Sequence, residues 1–270
     1  MSFDDIAKRG LVLLGCGKMG GAMLDGWLRG GLPATSVWVI DPYPSDRVQA
    51  AGVHVNADLP EDPAVLVLAV KPQMMGSALD QVSSLGGGKT LILSIAAGTN
   101  MSYFEDVFGA ETPIVRGMPN TPAAIGKGIT ALVANAHAST DDLDQAEALL
   151  AAVGQTVRLT REDDMDAVTA VSGSGPAYVF HLIETLAAAG EGEGLSPELA
   201  MALAKATVAG AGALAETANE TPEQLRINVT SPAGTTEAAL NLLMDENDGF
   251  PPLMKRAVQA EANRSRELGK

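Results

Sequence analysis

The stretch Leu11-Val12-Leu13-Leu14-Gly15-Cys16-Gly17-Lys18-Met19-Gly20 decides the fold. Four consecutive apolar residues read as a short strand buried on both faces, and residues 18–29 read as a helix. Between them stands a G-x-G-x-x-G run. Glycine-rich turns are common, so the pattern is weak alone; the strand before it and the helix after it make it a dinucleotide-binding fingerprint. Its glycines permit the tight turn, the approach of backbone to a pyrophosphate, and close helix–strand packing. The helix N-terminus adds partial positive charge. Gly15, Gly17, Lys18, Met19 and Gly20 are therefore expected around the phosphates of an NAD or NADP. Cys16 fills a variable loop position, and no histidine stands near it in sequence to activate it.

Working outward, residues 36–40, 64–70, 90–96 and 129–134 share the strand character, and 73–83 and 141–152 read as helices. This alternation predicts an α/β fold: a Rossmann-like, doubly wound parallel sheet with helices on both faces. Beyond Thr160 the strands stop. Residues 177–189, 197–218, 235–244 and 252–268 favour helix, and Ser196-Pro197 and Thr221-Pro222 each place a hydroxyl at an N-cap with proline at the first helical position. The expected organisation is a dinucleotide-binding domain over 1–160 and an all-α domain over 161–270. Asp41 ends the second strand, 21 positions beyond Gly20 (41 − 20), about where such folds place an acid for the adenosine ribose. An acid there favours NAD by repelling a 2′-phosphate, yet Arg47 stands close enough to pair with one. The alternative for Asp41-Pro42 is a plain turn.

Composition narrows the function classes. A net charge of −15, from 18 basic and 33 acidic residues, repels phosphate backbones, so no nucleic-acid partner is expected. It also requires that any anion site be built locally, from backbone N–H groups or a few placed cations. No uninterrupted apolar run approaches the roughly 18 residues of a membrane span. A single cysteine excludes an internal disulfide and fits a reducing cytoplasm. His54, His137 and His181 are scattered and match no metal-ligand spacing.

Six segments then occur in order: Gly15 to Gly20, Ala69-Val70-Lys71-Pro72, Ser94 to Gly98, Arg116 to Pro122, Ser172 to Tyr178 and Asn228 to Thr236. Together, over essentially the whole chain, they resemble the pyrroline-5-carboxylate reductases of proline biosynthesis. The chain departs from that pattern at Ala233, where the family usually has glycine.

The resemblance implies an oxidoreductase that reduces a cyclic imino acid with NAD(P)H. It also implies an obligate homodimer or dimer-based ring with interleaved C-terminal helices, residues 161–270 forming a substrate-binding and dimerisation domain. Asn56, Ala69, Val70, Lys71, Pro72 and Ala97 would line the cofactor, with Asn228 reaching one held by a neighbouring subunit. Glu162, Gly234, Thr235 and Thr236 would surround the substrate, and Ser174 would lie near the nicotinamide. Ser231 to Gly234 has the makeup of a loop entering a helix near Thr235, whose first N–H groups attract a substrate carboxylate. That leaves Thr236 as the expected catalytic hydrogen-bonding group at the ring nitrogen, unless Thr235 and Thr236 merely cap the helix. A hydroxyacid dehydrogenase on the same plan would carry a lysine on the helix after Gly175, and none occurs before Lys205.

Overall fold

A computed structural model describes residues 3–269; Met1, Ser2 and Lys270, the ends of the two expected domain ranges, lie outside the described residues. A short helix α1 (Asp4–Arg9) precedes the first strand. Eight strands follow: β1 (Leu11–Leu14), β2 (Val37–Ile40), β3 (His54–Val55), β4 (Val65–Leu68), β5 (Leu91–Ser94), β6 (Ile114–Met118), β7 (Gly128–Ala134) and β8 (Gly154–Arg158). Between them run α2 (Lys18–Arg29), α3 (Asp46–Gln49), α4 (Met75–Leu79), α5 (Met101–Phe108) and α6 (Thr140–Leu150). The strand order is β3-β2-β1-β4-β5-β6-β7-β8. The order reverses between β1 and β4, where open α/β sheets bind ligands beyond the strands' carboxyl ends.

β1, β4 and β5 are buried along their whole length, as strands covered on both faces must be. Their side chains alternate between two cores. Leu11, Leu13, Val65 and Val67 pack with Met23, Leu24, Trp27 and Leu149 of α2 and α6. Val12, Leu14, Leu66 and Leu68 pack with Met75, Leu79, Phe104 and Phe108 of α4 and α5. Trp27 Nε1 also donates to the Leu149 carbonyl at 2.8 Å. The sheet is mostly parallel, but β7 pairs antiparallel with β6 and parallel with β8. The link from β6 to β7 holds only a 3-10 turn (Thr121–Ile125). A parallel return needs a crossover of a dozen or more residues, so the chain must reverse.

The remaining helices are α7 (Met165–Val168), a π-helical turn (Thr169–Gly173), α8 (Gly175–Gly192), α9 (Pro197–Thr217), α10 (Pro222–Asn228), α11 (Thr235–Leu243) and α12 (Phe250–Leu268). Ser196 accepts from Leu199 N and Thr221 from Gln224 N, the caps legible in the sequence. Two compact units result: one runs to Gly173 and regains the chain from Ala262, the other is Ser174–Glu261. The first unit extends past residue 160 because Met165 enters its core. It reclaims the last turns of α12 because Ser265 donates to Asp166 at 2.5 Å. In the second unit, α8 and α9 meet through Ala187, Ala200 and Ala204. By length and composition alone α9 could cross a membrane; Glu198, Lys205 and Glu216 interrupt its apolar run.

Candidate functional site

The glycine loop leaves β1 and enters α2 at the switch point. Gly15 holds φ +89°, a left-handed conformation open to glycine, and its N–H donates to the Ile40 carbonyl at 2.8 Å. A Cβ on Gly20 would lie 2.4 Å from the Gly15 carbonyl oxygen, so this glycine is what lets helix and strand approach. Gly17 is different: a Cβ there would meet nothing within 4 Å. Gly17 is also the N-cap of α2 without any side-chain cap, whereas Ser45 and Ser139 cap their own helices. An uncapped helix N-terminus facing open space fits a pyrophosphate. Lys18 is exposed and Met19 half-buried on the same first turn.

Beside the loop, Asp41 is held by four hydrogen bonds. Its Oδ2 accepts from Cys16 N at 2.7 Å and its Oδ1 from Tyr43 N at 2.8 Å. The Asn56 side chain brackets its backbone, accepting from Asp41 N at 3.0 Å and donating to Asp41 O at 2.9 Å. Asn56 has φ 49°, a region asparagine tolerates better than most residues. Asn56 and Val70 line a cleft of about 630 Å³ with Leu14, Ile40, Leu59 and Met74. Arg47 pairs with Asp25 of α2 and donates to the Gly21 carbonyl at 3.3 Å. Burial, and then the Asp41 carboxylate, push the Cys16 thiol up to about 11.

Ala69 and Val70 continue from β4, half-buried; Lys71, exposed, is the N-cap of the 3-10 turn opening at Pro72, and Ala97 is exposed just past β5. Glu162 works inside the first unit. It accepts from Met101 N at the start of α5 at 2.7 Å and pairs with Arg116, which is 6% exposed. Sequence reasoning missed that partnership, because Arg116 sits in a strand 46 residues away. In the second unit, Ser174 donates to Glu261 at 2.8 Å. The other carboxylate oxygen of Glu261 is buried with no hydrogen-bond partner among the described residues.

The loop before α11 adopts the shape that Ala233 resists. Ala233 has φ 55°, and its N–H donates to Glu237 at 2.7 Å. Gly234 is the N-cap, and no side chain caps α11. Thr235 and Thr236 are exposed on its first turn, so the capping role is excluded for both in this structure. Asn228, at the end of α10, accepts from Gln224 at 2.8 Å.

Residues 162–268 match the family description "Pyrroline-5-carboxylate reductase dimerisation", and 10–98 match "NADP oxidoreductase coenzyme F420-dependent". The pyrroline-5-carboxylate reductase of Pseudomonas aeruginosa is 40% identical over 96% of both chains. The chain belongs to the pyrroline-5-carboxylate reductase family. The enzyme of Pisum sativum is 36% identical over 96% of this chain and 95% of its own. Among solved structures, the Coxiella burnetii enzyme matches with a TM-score of 0.90 at 34% identity, over 97% of this chain and 99% of that one. The Plasmodium falciparum enzyme, solved with NADP bound, has a TM-score of 0.84 at 29% identity, over 98% and 99%.

Proposed function

We propose that this chain reduces pyrroline-5-carboxylate to L-proline with NAD(P)H as hydride donor. The observation that carries this reading is full-length similarity to pyrroline-5-carboxylate reductases; the uncapped glycine loop at the switch point agrees with it. When bound, the reduced nicotinamide supplies the hydride that adds to the imine carbon. The chain's own residues hold and orient. Gly15 to Gly20 hold the pyrophosphate; Asp41, Asn56, Ala69, Val70, Lys71, Pro72 and Ala97 line the rest of the cofactor. Ser174 lies beside the nicotinamide, and Asn228 reaches a cofactor held by a neighbouring subunit. The substrate carboxylate binds the first N–H groups of α11 at Gly234 and Thr235, and the Thr236 hydroxyl hydrogen-bonds the ring nitrogen. Glu162 acts as a positioning residue, through Arg116 and the start of α5.

The working form is a homodimer or a dimer-based assembly. Supporting it are the dimerisation match and the exposed apolar side chains of α8 and α9, among them Phe180, Leu186, Leu199, Leu203 and Leu214. Residues 161–270 thus serve substrate binding and dimerisation. Three charges make α9 a poor bilayer segment, and a subunit contact is what its apolar surface serves. The location is cytoplasmic, in keeping with one buried cysteine. The test is cofactor oxidation by the full chain with pyrroline-5-carboxylate, run separately with NADPH and NADH, with proline identified as product. A folded protein that binds NAD(P)H and turns over with neither would sink the reading.

A further inference from the structure

The side of the glycine loop facing the end of β2 carries three charges in fixed relation. Asp41 points its carboxylate at the loop amide of Cys16. Arg47, the second residue of α3, lies against the first turn of α2. A Cβ on Gly21 would be 3.0 Å from its Nη2, and its guanidinium pairs with Asp25 one turn further along α2. Asp41 is bonded to the Cys16 amide and Arg47 to the Gly21 carbonyl and Asp25, so the three charges stand along the loop and the α2 turns it enters and border the volume outside them. In a dinucleotide fold that volume takes the adenosine ribose at the β2 terminus. NADH presents two hydroxyls there; NADPH presents a 2′-phosphate in place of one. Between Arg29 and Lys71 the sequence holds one Lys or Arg, and it is Arg47. Arg47 is therefore the one cation this stretch offers, and Asp25 already neutralises it, while Asp41 adds an acid that suits hydroxyl donors and repels a phosphate.

We propose that Asp25 is a cofactor-specificity residue, which withholds Arg47 from the 2′-phosphate and, together with Asp41, sets this site for NADH. This rests on the reading of the chain as an NAD(P)H-dependent reductase and deepens it. Asp25 itself touches no cofactor; it acts through Arg47.

The test is equilibrium binding, read from the fluorescence of the reduced cofactor on the full-length protein without substrate, with a melting curve for each variant. Wild type is expected to bind NADH about tenfold or more tightly than NADPH. Asp25→Asn keeps the side-chain size and removes the charge; it should tighten NADPH by about threefold to tenfold and leave NADH unchanged. That gain should vanish in Asp25→Asn with Arg47→Met. Arg47→Met alone should leave NADPH affinity at the wild-type value, since the guanidinium is already engaged. Tighter NADPH than NADH binding by wild type, an equal shift for both cofactors in Asp25→Asn, or loss of NADPH affinity in Arg47→Met would each overturn the proposal. Binding of neither cofactor by a cooperatively melting protein overturns the underlying reading instead.

Discussion

Thr236→Ala separates catalysis from stability more cleanly than any other change in this chain. Thr236 stands second in α11, exposed; the N-cap is Gly234, and the side chain that bonds at the helix start is Glu237, which accepts from Ala233 N. Removing the hydroxyl therefore breaks no hydrogen bond among the described residues. Surface changes away from caps and cores fall within about 0.5 kcal/mol, and alanine's higher helix propensity offsets part of that. The melting temperature should move by no more than about 2 °C. A hydrogen bond to the reacting nitrogen that strengthens in the transition state is worth about 2–4 kcal/mol, roughly 30- to 1000-fold in turnover. Steady-state rates and melting curves on one preparation, with Thr235→Ala alongside, read both quantities. Unaltered turnover in Thr236→Ala would refute the assignment and leave the nitrogen to solvent or another group.

Ala233→Gly should stabilise the protein by about 0.5–1 kcal/mol, because alanine at φ 55° carries a left-handed penalty that glycine lacks; a lower melting temperature would contradict it. Gly20→Ala drives a methyl into the Gly15 carbonyl, so a loss of about 1–3 kcal/mol in stability is expected with weakened NAD(P)H binding, both measurable by thermal melts with and without cofactor. The Cys16 thiol, held up at about 11 by burial and Asp41, stays protonated at neutral pH. At pH 8 it should alkylate roughly 100-fold slower than a free cysteine, and the rate should rise towards pH 11. Light scattering should find no active 27.7 kDa monomer, since α9 leaves Leu199, Leu203 and Leu214 exposed in a single chain.

Much of this protein is local chemistry, and that part was legible in the sequence. β1, the glycine loop and α2 follow from ten residues, because a buried strand, a turn that needs glycine and a helix start are each set by their own neighbours. The caps at Ser196 and Thr221 are equally local. What only the tertiary structure decided are pairings across distance. β6 escaped the apolar pattern because Arg116 and Gly117 interrupt it, and burial of Arg116 depends on Glu162. The reversal at β7 follows from a link too short to cross over. Residues 161–173 join the first unit through Met165, which no boundary rule reads. Asp25 and Arg47 are the sharpest case: 22 residues apart, the first reads as an ordinary surface charge and the second as a partner for a 2′-phosphate, and only the packing of α3 against α2 brings them into an ion pair. Local propensity records what a residue prefers among its neighbours, whereas the partner of a long charged side chain is chosen by whichever elements the fold sets beside it.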